Sequence, residues 1–271
     1  MIKFRELVQP ESVEEAYELN LKKGNVVIGG MLWLKMQDRT CLKAIDLSLL
    51  GLDHIEETED GFLIGAMCTL WQLEHDKALN DWFDNAFQIA FSPIVGVQFQ
   101  SMATAGGSVF GRYGFGDVLT LLSALDAKVI LHHQKEVEIQ EFAWQKPERD
   151  ILTHIFIPKK KGFTYYRAIR NQATDFPVIT CAIFMEENGE RAKAAFGARP
   201  GRARTVDLDL KDHSLEECAV YCKEKIPAAS NLRASKEYRS RMIELLALRG
   251  LKDLADRKER TEKEEKEKEV C

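Results

Sequence analysis

The chain has 271 residues, 45% hydrophobic and 30% charged, with a formal net charge of −5, enough to bury one or two sizeable cores without disulfides or metal. So weakly acidic a balance gives no global field for nucleic acid, and that partner class is set aside. No apolar run reaches the roughly 18 residues of a membrane span, and the opening MIKFRELVQPESVEEAYEL has neither region of a secretory signal, so the expected location is the cytoplasm.

In chain order, FRELVQP reads as a first strand and SVEEAYELNLKKG as a helix, with Ser12 as N-cap, Glu15 three residues later and Gly24 as its stop. The strand NVVIGG follows, and KAIDLS completes a small βαβ unit over residues 1–51. A second unit covers 52–160. It opens with two strands about the Asp60-Gly61 hairpin signal and a helix from near Thr69. A helix through WFDNAFQIAF, stopped by Ser92-Pro93, leads into an irregular glycine-dense loop, VQFQSMATAGGSVFGRYGFGD. The apolar helix VLTLLSALDA and the strands KVILHH, KEVEIQEFA and DILTHIFIP close the unit. From residue 161 the pattern restarts, with strands about the Asn188-Gly189 hairpin signal and helices near 214–225 and 235–250. That third unit covers 161–251. Residues 252–271 carry 15 charges in 20 positions and read as a solvated helical tail. The fold class is α+β.

The six cysteines form no C-x-x-C pair, and Cys218 and Cys222 share one face of a helix as small apolar residues, so no iron–sulfur cluster is expected on this chain. His132 and His133 are adjacent on an expected strand, where neighbouring side chains point to opposite faces; no metal site is expected.

The chemistry concentrates in two glycine pairs. Gly29-Gly30 ends a β-branched strand, at the edge where open α/β sheets place ligands. Glycines suit a tight turn there, or backbone that approaches another group closely. Gly106-Gly107, between Thr104 and Ser108, is a second such loop, and two of them can present backbone N–H groups to one pyrophosphate. Neither is a G-x-G-x-x-G fingerprint, and no P-loop occurs.

The ordered set FRELVQPESVEEAYEL, VVIGG, ATAGGSVFG, GDVLTLLSALDA, DILTHIFIP, YYRAIRNQATDFPVITCAI and ASNLRASKEYRSRMIELLALRG resembles the flavin subunit of the molybdenum hydroxylases. This is the medium chain related to the FAD domain of xanthine dehydrogenase and the flavoprotein of carbon monoxide dehydrogenase. The likeness implies a two-part FAD-binding module of the vanillyl-alcohol-oxidase/xanthine-dehydrogenase type: a small βαβ unit, a mixed or antiparallel sheet with helices, then a smaller α+β C-terminal domain. It implies FAD along the backbone of Val27, Ile28, Gly29, Gly30, Met31 and Leu32, with Thr104, Gly106, Gly107 and Ser108 from the second loop. It also implies Asp117 at the adenosine end, Leu152 against the isoalloxazine and Arg167 near the flavin, with no catalytic acid, base or nucleophile.

There are departures. Met31-Leu32-Trp33 stands where many members have a small hydroxyl residue, and Ser108 where many have Asn, so the phosphates must rely more on backbone N–H groups. GRYGFGD replaces an Ala-Ser-Pro stretch; Arg112 and Tyr113 there read either as a charge and a stacking face for adenosine or as a solvent-facing pair. The resemblance implies partners: a molybdopterin-binding large subunit and a 2Fe–2S small subunit, from which electrons pass through FAD to NAD⁺. Two alternatives are a stand-alone flavin-dependent reductase of the same superfamily and a scaffold that has lost its flavin.

Overall fold

The computed structural model describes residues 1–146 and 148–269. The N-terminal unit is built from β1 (Lys3–Val8), α1 (Val13–Leu21), β2 (Val26–Ile28) and β3 (Thr40–Asp46), in a parallel sheet of order β1-β3-β2. Ser12 caps α1 by accepting from the Glu15 N–H, but the Glu15 carboxylate accepts from Glu11 rather than from Ser12, so the box is only half closed. A single 3₁₀ turn, Leu34–Met36, lies in the long connection from β2 to β3.

The central unit begins with β4 (Ile55–Glu57) and β5 (Gly61–Gly65), joined at the expected hairpin. Five short helices follow: α2 (Leu70–His75), α3 (Lys77–Trp82), α4 (Ala86–Phe91), α5 (Val97–Gln100) and α6 (Ala105–Phe110). Then come α7 (Asp117–Ala124), β6 (Lys128–Leu131), β7 (Lys135–Glu138), α8 (Ile139–Trp144) and β8 (Leu152–Pro158). The sheet is antiparallel, of order β4-β5-β8-β6-β7.

Four local expectations need correction. The helix read through WFDNAFQIAF is broken, because Asp84 and Asn85 take left-handed backbone (φ +52° and +58°) between α3 and α4. The glycine-dense stretch is not all loop, since it holds α5 and α6. KEVEIQEFA is a strand only as far as Glu138, and the remainder starts α8. His132 and His133 sit in the turn after β6, outside the strand whose alternation was used to separate them.

The C-terminal unit is an antiparallel meander of β9 (Gly162–Arg170), β10 (Pro177–Glu186), β11 (Arg191–Gly197) and β12 (Arg204–Asp209), in the order β12-β11-β10-β9. Helices α9 (Leu215–Lys225) and α10 (Lys236–Glu269) cover one face. On the other lies α7, whose Thr120 hydroxyl is 2.9 Å from that of Thr180 on β10. Covered on both sides, β10 is buried from Pro177 to Met185, which accounts for its unbroken apolar run. Cys218 and Cys222 face this core from α9 as unpaired thiols. Helix α10 does not stop at 252: Leu251 and Leu254 are fully buried, and Arg257 donates to the Thr164 carbonyl.

Candidate functional site

The first glycine pair leaves the end of β2 and runs against the segment before α6. A Cβ on Gly30 would fall 1.7 Å from the Met102 carbonyl oxygen, and one on Gly29 2.5 Å from the Thr104 hydroxyl. Neighbouring protein atoms, backbone at Gly30 and a side chain at Gly29, therefore already demand glycine here. Met31 follows at φ +58°, a left-handed conformation for an unbranched side chain. From this loop the amides of Gly30, Met31, Leu32 and Trp33 donate to no acceptor among the described residues. They form a row of donors on a half-buried surface.

The second pair behaves differently. Thr104 caps α6, its hydroxyl accepting from the Gly107 N–H at 3.2 Å. The Ala105 and Gly106 amides donate to the carbonyls of Cys68 (2.8 Å) and Ala66 (2.9 Å), and Ser108 donates to Thr104 through both its amide and its hydroxyl. Two equivalent N–H cradles were expected; the structure has one open loop and one whose donors are committed within the protein. Gly106 is glycine because Ala66 lies 2.7 Å from where its Cβ would be.

Between the N-terminal and central units these segments line a cavity of about 770 Å³, within the range of cofactor pockets. Val27, Ile28, Gly29, Gly30, Met31 and Leu32 are on its wall, as are Thr104, Gly106, Gly107, Ser108, Asp117 and Leu152. Arg167 is not. It follows the buried Tyr166 on β9 and so points out to solvent, whereas Arg170, on the opposite face, reaches the cavity.

Asp117 opens α7 and is 5% exposed, accepting from the Tyr166 hydroxyl and from Arg170, each at 2.6 Å. Burial pushes its carboxyl up, while Arg170 and Tyr166 hold it down. Beside the charged contact, the Arg170 Nε is buried with no partner among the described residues. On the far wall Arg149 donates to the carbonyls of Asn20 and Lys23 at the end of α1, joining the two units along the cavity's seam.

Sequence reasoning missed an aromatic wall. Trp33, Tyr113, Phe115 and Phe176 come together from three separate segments, with ring centroids of Phe115 5.2 Å from Trp33, 5.3 Å from Tyr113 and 4.7 Å from Phe176. The signal for Phe176 lay in the motif TDFPVIT, but nothing local says that it meets Trp33. Burial pushes the Tyr113 phenol up, so it faces the cavity as a neutral ring. Arg112 takes neither of the roles foreseen for it. It is 5% exposed, donates to the Phe142 carbonyl at 2.8 Å and lies 4.0 Å over the Phe142 ring.

Residues 2–160 match the sequence model of a family described as the FAD binding domain in molybdopterin dehydrogenase. The chain belongs to this family. It is 25% identical over 273 residues to the glyceraldehyde dehydrogenase medium chain of Sulfolobus acidocaldarius, covering 89% of this chain and 95% of that one. It is 27% identical over 224 residues to the xanthine dehydrogenase FAD-binding subunit of Escherichia coli O157:H7, covering 73% and 76%. In fold it is similar to a chain of carbon monoxide dehydrogenase from Hydrogenophaga pseudoflava, with a TM-score of 0.83 at 20% identity over 94% and 98% of the two chains. The family's cofactor, FAD, fits the residues present: the cavity has the volume, and the residue 30–33 amides, which have no acceptor among the described residues, offer donors to a pyrophosphate. The α+β class and the oxidoreductase family expected from the sequence both stand. No helix among the described residues is long and apolar enough to cross a membrane.

Proposed function

We propose that this chain is the flavin-carrying electron-transfer subunit of a molybdenum hydroxylase, passing electrons from a partner's 2Fe–2S clusters through FAD to NAD⁺. The observation that carries this reading is the open row of amides at residues 30–33, all four of which line a cavity of cofactor size. Bound FAD would supply both one- and two-electron chemistry, which lets single electrons from the clusters leave as a pair. The chain's own residues bind and orient it. The first loop takes the pyrophosphate on backbone donors, Leu152 gives an apolar floor, and the Asp117–Arg170 pair with Tyr166 fixes the charge at one end. Partners would be a molybdopterin-binding large subunit and an iron–sulfur small subunit, in keeping with the medium-chain relatives.

Two measurements test it. The purified chain should show flavin absorbance and release FAD on denaturation, and Gly30→Ala should lose that flavin, because its Cβ would collide with Met102 and shift the loop. A colourless chain that takes up no added FAD would leave the scaffold reading in front. Rapid mixing of the flavin-loaded chain with NADH should bleach the flavin band. Bleaching by artificial donors but not by NADH would remove NAD⁺ as acceptor while keeping the flavin assignment.

A further inference from the structure

The turn after β6 brings two imidazoles and a carboxylate together from the two units that flank the cavity. His132, His133 and Gln134 connect β6 to β7, with Leu131 paired to Lys135, and Lys135 takes left-handed backbone at φ +63°. Strand alternation ends there, so both rings can lie over α1. His132 Nε2 is 2.8 Å from Glu14 Oε2, and the two imidazole centroids are 5.1 Å apart. One ligand atom from each of Glu14, His132 and His133 lies within 4.8 Å of the other two.

The turn is held from beneath. The His132 amide donates to the Ile151 carbonyl at 2.9 Å. The buried Asp150 carboxylate accepts from the His133 amide at 3.2 Å and the Gln134 amide at 3.0 Å. Tyr17, three residues after Glu14 on the same face of α1, stacks on the His133 ring at 4.0 Å between centroids. The backbone of the turn is thus fixed from below, and the His133 ring is oriented by a neighbour that is not itself a ligand.

We propose that Glu14, His132 and His133 form a binding site for a divalent ion of the zinc class, with water completing the coordination. Two imidazoles and one carboxylate favour zinc, cobalt or nickel, whereas magnesium and calcium take oxygen sets. Ligand bonds of about 2.0–2.2 Å put two donor atoms on one ion up to about 4 Å apart, so small rotations of partly exposed side chains close the set. The ion would take the place of the direct His132–Glu14 contact. Its effect is structural: it clasps α1 to the β6–β7 turn, whose supports, Asn20 at the end of α1 and Asp150, are joined by a 3.3 Å hydrogen bond and line the large cavity.

The test uses the full chain, stripped by a chelator and titrated with Co²⁺ and then Zn²⁺. One equivalent of cobalt should give the visible ligand-field bands of a four-coordinate nitrogen and oxygen site, and zinc should bleach them and raise the unfolding midpoint. His133→Ala and Glu14→Gln should each weaken binding at least tenfold and abolish the zinc-induced rise, measured against each variant's own metal-free midpoint. Replacing the remote, exposed His213 by Ala should leave binding intact. Absence of stoichiometric binding at micromolar metal, sulfur-to-cobalt charge-transfer bands, or binding that survives His133→Ala would each overturn the site.

Discussion

Arg167 and Arg170 show how much a single position matters on a strand. Both lie in YYRAIR, and sequence alone chose the first; the structure gives the cavity to the second, because Tyr166 turns inward and fixes the parity of β9. The side chains of Arg170 and Asp117 are 8% and 6% exposed, so removing the guanidinium would strand a buried carboxylate. Arg170→Leu is expected to lower stability by about 3–5 kcal/mol, and Arg167→Leu by under about 0.5 kcal/mol. Urea unfolding of the two variants separates them; equal losses would mean that Asp117 does not depend on its partner. The glycines were legible as positions of close approach, but not what approaches. Thr104 and Met102 are more than 70 residues away along the chain, and only the fold puts them there.

At the scale of elements, capping was the most legible signal. Ser12, Thr69 and Ser214 all begin helices with side chains that accept from the third residue on, a pattern that sequence spacing encodes directly. Breaks were less legible. The interruption at Asp84-Asn85 is held by contacts outside the helix, since Asp84 accepts from the Thr164 amide on β9 and Asn80 accepts from the Gln88 amide. The end of α10 was also misjudged, because a high charge density hid an apolar face that continues for one more turn. Leu254→Ala is accordingly expected to cost about 2–5 kcal/mol, while Glu259→Ala, on the exposed side, changes little. Comparable thermal melts for the two would show that the helix is not docked beyond residue 251.

Across the molecule, Asp126 ties the central unit to the C-terminal one. It sits between α7 and β6 at φ +52° and pairs with Lys160 at 2.6 Å, just after β8, and with Lys193 on β11. Burial would push its carboxyl up, but the hydrogen bonds from the two lysines outweigh it and hold the value below the ordinary one. A lowered folded value stabilises the protein fully above the unfolded carboxyl value of about 3.9, and the contribution is lost as pH falls through the folded value. Asp126→Asn, which tolerates left-handed backbone, should lower the unfolding midpoint at neutral pH, and the gap should close as the pH falls below the unfolded carboxyl value and through the folded one. A gap that persists in acid would show that the loss is one of packing rather than of charge.

The sharing of β10 between α7 and the C-terminal helices also bears on how the chain acquires its structure. Thr120 meets Thr180 across 60 residues, so α7 cannot finish packing until β10 has been synthesised and paired. Such contacts give a high contact order, hence slow folding, with the apolar side of α7 exposed to other nascent chains in the interval. A gene fragment ending at residue 160, where the family match ends, would make that interval permanent and should yield an aggregating product rather than a smaller flavoprotein.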